Sequence, residues 1–303
     1  MGKSSISFEL TAKVAAAIPA VALAASLSFS GYAEPGVISE PATAQFGDVK
    51  PLANKSAIDE ATNTAVHSLD EVSSCVKANL PETTLSQDVS MQTFDRSGGS
   101  RTLEGKLYAR REDGKDRLMM AIKAPVDLAG VRYLLREMSS RDDMQMYLPA
   151  LDRTRRISGS RMNETALFGT DFSYEDIKQL TGGFAKGAGE LLGPETHKGR
   201  PVWKLKLNPA AEKESAYSEI ISWVDQQSCT VLATDFVVAG QGVVKKLSAD
   251  IESIQQTGKR WYVGKYRMDD VKAETHTIMV IEDAEFDENL SPRLFNPKTF
   301  QRG

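Results

Sequence analysis

The stretch LSQDVSMQTFDRSGGSRTLEGKLYA, residues 85–109, alternates apolar and polar side chains on both sides of a glycine-containing break. The alternating apolar or small positions are Val89, Met91, Leu103, Gly105, Leu107 and Ala109. Alternation with a period of two is typical of a strand that buries one face. The break at Asp95–Gly99 is typical of a hairpin turn. The stretch therefore predicts two antiparallel strands with one buried face and one solvated face.

The same alternation recurs along most of the chain after residue 109. It marks Leu118–Ile122, Met144–Leu148, Trp203–Leu207, Ile220–Val224, Val231–Val238, Lys246–Ile251, Trp261–Met268 and Thr277–Phe286. About ten strands against one convincing helix indicate a mainly β fold, built as a large curved antiparallel sheet. The rhythm is interrupted over about residues 158–195, which we interpret as an irregular excursion with one or two short helices. The tail after residue 286 is expected to pack across a sheet edge as loop or short helical turns.

One helix precedes the strands. Ser56, followed by Asp59, is typical of a helix start, and Pro81 is expected to end the helix after Leu80. The apolar residues of the segment recur at spacings of three and four: Ala65, Leu69, Val72 and Val76. Such a stripe predicts a helix that packs one face against the rest of the protein.

The first residues have the pattern of an export signal. Lys3 and Lys13 give a basic start, Val14–Phe29 is almost wholly apolar, and Gly31-Tyr32-Ala33 places small residues before a cut ahead of Glu34. This order predicts a cleaved signal peptide at residues 1–33 and a periplasmic protein that does not span the membrane after cleavage. The alternative is a retained membrane anchor, although the apolar run is short for a membrane span and contains Pro19. Residues 34–55 then read as a flexible leader.

The charge balance argues against nucleic acid as a partner. The whole chain has a formal net charge of −4, and residues 1–33 contribute +1 from two Lys and one Glu, which leaves −5 for the remainder. A mildly acidic protein lacks the basic surface that phosphate backbones require.

Two cysteines are present, Cys75 and Cys229. In an oxidising compartment they can form a disulfide, while two buried thiols are an equally good interpretation. A metal site needs more ligands than these cysteines and the scattered His67, His197 and His276 supply. We therefore expect no metal.

Two segments in the middle of the chain carry a more specific signal. Tyr147–Ile157 reads YLPALDRTRRI and Phe168–Asp176 reads FGTDFSYED. This pair resembles the outer-membrane lipoprotein-sorting-like family, whose members share the LolA/LolB fold. The order of helix, strands, excursion and further strands agrees with that family over about residues 85–303.

The resemblance implies a fold and a function. The fold is an incomplete barrel of antiparallel strands, lidded by one or more α-helices, in a single LolA-like domain over residues 56–303. The implied function is that of a periplasmic carrier or binding protein for lipid or lipoprotein acyl chains, without a cofactor, working with an inner-membrane export pump. The alternative is a periplasmic regulatory sensor that resembles RseB, which shares this fold.

The candidate ligand contacts are Tyr147, Arg153, Arg155, Arg156, Phe172 and Tyr174. A guanidinium group suits the phosphate of a lipid headgroup, so the arginines are candidate headgroup ligands. We favour the alternative that they pair with Asp171, Glu175 and Asp176 in a network that fixes the excursion. The three aromatic residues are more typical of packing anchors.

Methionines are frequent in the predicted strands: Met119, Met120, Met144, Met146, Met268 and Met279. Flexible thioethers suit a cleft for acyl chains, but for any single methionine we favour ordinary core packing. The sequence contains no Gly-x-Ser-x-Gly, no His-Glu-x-x-His and no phosphate-binding loop, so an enzyme is not expected.

Overall fold

The structure is a computed structural model that describes residues 68–139, 142–157, 166–180, 188–209 and 215–303. The expected signal peptide at residues 1–33, the leader at 34–55 and the first part of the predicted helix at 56–67 lie outside the described residues.

Within these ranges the chain forms two α-helices and fifteen β-strands, joined by turns and short 3₁₀ helices. The helices are α1 (Leu69–Ala78) and α2 (Tyr174–Leu180). The strands are β1 (Thr84–Phe94), β2 (Ser100–Glu112), β3 (Lys115–Ala124), β4 (Arg132–Arg136), β5 (Asp143–Leu148), β6 (Arg153–Ile157), β7 (Ala188–His197), β8 (Arg200–Asn208), β9 (Glu219–Asp225), β10 (Val231–Val238), β11 (Gly242–Ala249), β12 (Ile254–Thr257), β13 (Arg260–Val263), β14 (Lys265–Asp270) and β15 (Thr275–Phe286).

Thirteen of the described strands form one antiparallel sheet, called here the main sheet. Its order is β6-β5-β4-β3-β2-β1-β15-β14-β11-β10-β9-β8-β7, and β12 and β13 pair separately as a hairpin. Strands β6 and β7 stand at the two ends and do not pair with each other, so the main sheet stays open. The prediction of a mainly β fold with a large antiparallel sheet is confirmed.

The main sheet buries one face in a continuous apolar core. Side chains from β1 to β5, from β8 to β11, and from β14 and β15 meet in this core together with α1 and α2. Since strands so far apart in the sheet share one core, the sheet curves around it. We call this the inner face. On the outer face, smaller clusters lie under the C-terminal tail and beside the β12–β13 hairpin.

The hairpin that joins β1 and β2 follows the prediction. Leu85 to Phe94 pair in register with Ala109 to Ser100. The turn is closed by a hydrogen bond from the Asp95 amide to the Gly99 carbonyl, 2.9 Å, and the Asp95 carboxylate accepts from the Ser97 and Gly99 amides. Gly98 has a φ of 87°, a backbone region that glycine adopts without a steric penalty.

Helix α1 begins with a capping box. The Ser68 hydroxyl accepts from the Glu71 amide at 3.2 Å, and the Glu71 carboxylate accepts from the Ser68 amide at 3.1 Å. The helix ends at Ala78, three residues before Pro81. Val72 and Val76 are buried, as the apolar stripe predicts. Ser56, the predicted start of the helix, lies outside the described residues.

Two expectations about irregular segments change. Ala188–His197 is a regular strand, β7, although it falls largely inside the excursion expected over 158–195. The tail forms 3₁₀ helices at Pro292–Phe295 and Phe300–Arg302, as expected, but it packs on the outer face rather than across an edge. Its buried Phe295 and Phe300 contact Met119 and Leu134, which are outward-facing apolar residues that need such a cover.

Candidate ligand-binding cavity

An apolar cavity of about 170 Å³ lies against the inner face of the main sheet. Its floor is built by alternate residues of neighbouring strands, because only every second side chain of a strand reaches the inner face. The floor residues include Leu85, Met91, Leu107, Ala109, Leu118, Met120, Met279 and Ile281. The lining is thus made mainly of aliphatic and thioether groups, which favour an apolar ligand.

Gly105 of β2 lies beside the cavity floor, in close contact with β3. A Cβ atom at Gly105 would lie 2.6 Å from the Cε of Met120 and 2.7 Å from the Ala121 carbonyl oxygen. Both distances are far below van der Waals contact. Gly105 therefore lets the cavity-lining Met120 lie flat against β2.

One side of the cavity is covered by the end of α1 and by the β12–β13 hairpin, together called the cover. Val76 and Leu80 contribute from α1 and the turn after it, and Trp261 and Tyr262 contribute from β13. The two parts are joined by Asn79, whose side chain accepts from the Trp261 amide at 2.9 Å. The cover is therefore one connected structure.

Further polar contacts join the cover to the sheet. The Asn79 side-chain amide donates to the Ser228 carbonyl at 2.7 Å. The Arg260 guanidinium donates to the Leu80 carbonyl at 3.1 Å and pairs with Asp287 at 2.7 Å. The bonds to Ser228 and Asp287 hold the cover beside the β9–β10 turn and at the end of β15, and the bond from Arg260 to Leu80 joins the two parts of the cover.

A disulfide adds a covalent link. Cys75 of α1 and Cys229 of the β9–β10 turn are bonded, with their Cα atoms 5.6 Å apart and 154 residues apart in sequence. Cys229 has a φ of 57° and also lines the cavity. The disulfide thus fixes α1 at the cavity wall.

The segment Ala166–Leu180, called here the crossing segment, covers another side of the cavity. Leu167, Phe168 and Ile177 contribute to the lining. Phe172 and Tyr174 are buried in the inner-face core and are not among the lining residues. They act as packing anchors of this segment.

The acidic residues of the crossing segment bind partners far away in sequence. Asp176 is fully buried and accepts from Lys245 at 2.8 Å and from the Tyr217 hydroxyl at 2.6 Å. Asp171 accepts from the Thr277 hydroxyl at 2.6 Å. Glu175 accepts from the Ala216 amide at 2.9 Å. The FGTDFSYED motif therefore clamps the crossing segment onto β11, β15 and the residues before β9.

The prediction that Arg153, Arg155 and Arg156 pair with these acids is wrong. Arg156 pairs with Asp143 of the neighbouring strand at 2.6 Å. Arg153 and Arg155 are exposed and make no ion pair within the described chain. The acids are already satisfied by Lys245, by hydroxyl groups and by backbone amides, so they do not need the arginines.

The predicted ligand contacts do not meet in the cavity. Tyr147 lies on the outer face and donates its hydroxyl to Asp152 at 2.9 Å. Neither Tyr147 nor the three arginines belong to the described lining. Of the six methionines considered, Met120 and Met279 line the cavity, whereas Met119 is buried on the outer face. The alternation around Met119 and Met120 shows that they face opposite sides, but not which side holds the cavity.

The ionisable groups nearby reflect the apolar surroundings. Burial raises the pKa of the cavity-lining Tyr266 phenol above its ordinary value of 10.0. Burial also raises the pKa of Tyr174 and of Glu175, although hydrogen bonds from Ser215 and Ala216 oppose the shift at Glu175. In each case burial shifts the protonation equilibrium toward the neutral form of the group.

The described residues contain no group of three or more His, Cys, Asp or Glu side chains that could hold a metal ion. Among the helices that the structure describes, none has the length and apolar character needed to cross a membrane.

Comparison with known proteins identifies the fold. The model of a family described as "Uncharacterized protein" matches residues 114–302, more than half of the chain. A domain from Vibrio parahaemolyticus, provisionally described as an outer-membrane lipoprotein-sorting protein, is 24% identical with a TM-score of 0.69, and the match covers 77% of this chain and 97% of that chain. A DUF1329 family protein from Desulfovibrio piger is 25% identical with a TM-score of 0.69, covering 76% and 96%.

A LolA superfamily protein from Nitrosomonas europaea is 14% identical with a TM-score of 0.61, and the match covers 77% of this chain and 99% of that chain. No curated protein matches the chain in sequence. The structural matches confirm the LolA-like fold that the two motif segments indicated.

Proposed function

This chain belongs to the family whose model matches residues 114–302, and because its fold is LolA-like, we propose that it is a periplasmic carrier for lipid or lipoprotein acyl chains. The observation that carries the proposal is the apolar cavity between the inner face, the cover and the crossing segment. An acyl chain needs a water-excluding surface and no particular polar partner.

The size of the cavity supports an acyl ligand. At about 10–15 Å³ for each water-sized group, a volume of about 170 Å³ accommodates roughly a dozen such groups. Burial of one methylene contributes about 0.8 kcal/mol, so twelve contribute about 10 kcal/mol before the costs of association are subtracted. An acyl chain can therefore bind well through apolar contacts alone.

The proposed location follows from the export pattern and the disulfide. Residues 1–33 act as a cleaved signal peptide, residues 34–55 as a leader, and residues 56–303 as the functional domain. A structural disulfide is stable in an oxidising compartment such as the periplasm. In this proposal the protein works with an inner-membrane transporter, and it binds and releases its cargo without a chemical reaction.

The proposal is tested by filling the cavity. Ala109→Phe adds a ring to the floor, where Ala109 lines the cavity. We expect it to weaken the binding of a fluorescent acyl chain at least tenfold, because the ring occupies space the ligand needs, while the melting temperature changes little. The matched control is Ala129→Phe, which adds the same ring at an exposed turn position.

Transfer distinguishes a carrier from a sensor. A carrier is expected to move labelled lipid from donor to acceptor vesicles, and Ala109→Phe is expected to abolish that transfer. If wild-type protein binds the acyl chain but never releases it to acceptor vesicles, the carrier proposal is wrong.

A further inference from the structure

The edge strand β6 separates its three arginines onto two faces. Strand β6 pairs with β5 so that Met146 lies opposite Arg155, Leu148 opposite Arg153, and Gln145 opposite Arg156. Directly paired residues of antiparallel strands project to the same face. Met146 and Leu148 pack against the inner-face core. Arg153 and Arg155 therefore lie on the inner face and Arg156 on the outer face.

The two faces differ in their ion pairs. On the outer face, Arg156 binds Asp143, which also accepts from Arg136 at 2.6 Å. On the inner face, Arg153 and Arg155 are exposed without an ion pair in the described chain. The neighbouring Asp152 carboxylate accepts from the Tyr147 hydroxyl. Two guanidinium groups are thus available to an external anion.

An apolar surface connects these arginines to the cavity. Leu135 of β4 lines the cavity, and Met146 of β5 lies between that strand and Arg155. Phe168, another lining residue, contacts Tyr133 edge-to-face with ring centroids 4.4 Å apart. Because neighbouring strands are about 4.8 Å apart, β6 stands roughly 10 Å from β4. An amphiphile can therefore place its chain in the cavity and its head at β6.

Arg153 and Arg155 are two positions apart on one strand, so their Cα atoms are separated by roughly 7 Å. Two guanidinium forks at this spacing can both reach one phosphate group, which they bind through paired hydrogen bonds. Charged side chains on an edge strand also discourage strand addition, but this role requires charge on the strand and does not require two unpaired arginines beside an apolar inner surface.

We propose that Arg153 and Arg155 form a phosphate-binding pair, so that the cargo is a phosphate-bearing amphiphile such as a phospholipid rather than an acylated protein. The inference rests on the proposed carrier function, since it places the acyl chain in the cavity. It adds the class of headgroup and the two residues that select it.

The test compares three ligands that have a twelve-carbon chain and different headgroups, together with inorganic phosphate, which has no chain. Dodecyl phosphate, monolauroylglycerol, a lauroylated lipopeptide without phosphate, and inorganic phosphate are titrated into the full protein by calorimetry. We expect dodecyl phosphate to bind about tenfold more tightly than monolauroylglycerol and the lipopeptide, in line with charge-assisted hydrogen bonds. Inorganic phosphate is expected to bind far more weakly than dodecyl phosphate.

Variants assign the preference to the pair. In Arg153→Gln/Arg155→Gln the preference for dodecyl phosphate is expected to vanish, while monolauroylglycerol binds as in wild type. Arg156→Gln, on the outer face, is the matched control and is expected to keep the preference. Arg153→Lys/Arg155→Lys keeps the charge on the edge strand and is expected to retain part of the preference for dodecyl phosphate.

The outcomes are separable. If wild-type protein binds none of the three twelve-carbon amphiphiles, the proposed carrier function itself is wrong. If it binds all the amphiphiles equally, or if the double glutamine variant keeps the preference, the carrier function stands and the phosphate pair is overturned. Equal affinity for inorganic and dodecyl phosphate would show a site for free phosphate instead of a lipid headgroup.

Discussion

Asp225 shows how a single buried carboxylate supports the cavity. It is fully buried at the end of β9 and accepts from Arg200 at 2.7 and 2.8 Å and from the Ser228 amide at 2.8 Å. Burial acts to raise the pKa of Asp225, but the bonds from Arg200 and Ser228 outweigh it and hold the pKa below its ordinary value of 3.8. Asp225 thereby fixes the turn that carries Cys229.

Asp225→Asn is expected to lower the free energy of unfolding by about 3 kcal/mol at pH 7, because it leaves Arg200 and the turn without their charged partner. A carboxylate with a lowered native pKa contributes stability above the unfolded pKa and loses it as the pH falls through the native value. The difference in the free energy of unfolding between wild type and Asp225→Asn should therefore become smaller below pH 3.8.

Urea unfolding at a series of pH values measures this prediction. The control is Asp127→Asn, which breaks an exposed Arg–Asp pair whose side chains are 51% and 67% accessible. Such a pair contributes about 0–1 kcal/mol. A gap between wild type and Asp225→Asn that stays constant from pH 7 to pH 2 would contradict the argument.

Residue roles were harder to predict than residue positions. Alternation places Met119 and Met120 on opposite faces without showing which face holds the cavity, and Arg153, Arg155 and Arg156 look alike in sequence. Their separation depends on the pairing of β6 with β5. The acids of FGTDFSYED were assigned to nearby arginines, whereas Lys245 pairs with Asp176 from 69 positions away. Such a partner gives no local signal.

At the scale of elements, the crossing segment depends on one buried ion pair. Lys245 donates to the Asp176 carboxylate and to the Asp171 carbonyl, both at 2.8 Å. Lys245→Met would leave a fully buried carboxylate without its cation, which costs about 3–5 kcal/mol. We expect the free energy of unfolding to fall by this amount. We also expect faster amide exchange in α2, because Asp176 links α2 to β11 through Lys245.

Hydrogen exchange read by mass spectrometry measures the effect on α2. The control is Lys246→Met, the adjacent residue, which is exposed and points to the other face. It is expected to change neither stability nor exchange appreciably. Equal effects of the two substitutions would show that Asp176 does not depend on Lys245.

The elements themselves were predicted well where periodicity is strong. The alternating runs correspond to strands of the main sheet, with differences of a few residues at their ends. Strand β7 was missed because its sequence AGELLGPETH contains two glycines and a proline, which are unfavourable in strands. Strands β13 and β14 were merged into one predicted strand, Trp261–Met268, since only Gly264 divides them.

At the scale of the whole molecule, the cavity sets a limit on the ligand. Affinity for uncharged monoacylglycerols should rise by up to about fourfold for each methylene, because each contributes about 0.8 kcal/mol of apolar burial. The rise should stop near twelve carbons, when the cavity of about 170 Å³ is filled. Displacement of a fluorescent acyl probe across chains of about eight to sixteen carbons tests this. Affinity that does not depend on chain length would contradict an acyl-binding cavity.

The overall architecture was accessible from sequence because alternation specifies strands and one dry face, and the two motif segments indicated the LolA-like fold. The cavity was not accessible from sequence, since its walls come from α1, the crossing segment and β13, each at least eighty positions from the next. Which side chains meet there depends on how the sheet curves.

The bond between Cys75 and Cys229 also imposes an order on assembly. A chain is synthesised from its N-terminus, so Cys75 emerges long before Cys229 is available to it. Strands β1 to β9 lie between the two cysteines and must all be delivered before the link can close. The disulfide that fixes α1 at the cavity wall therefore forms late, after most of the strands that would line the cavity have been synthesised.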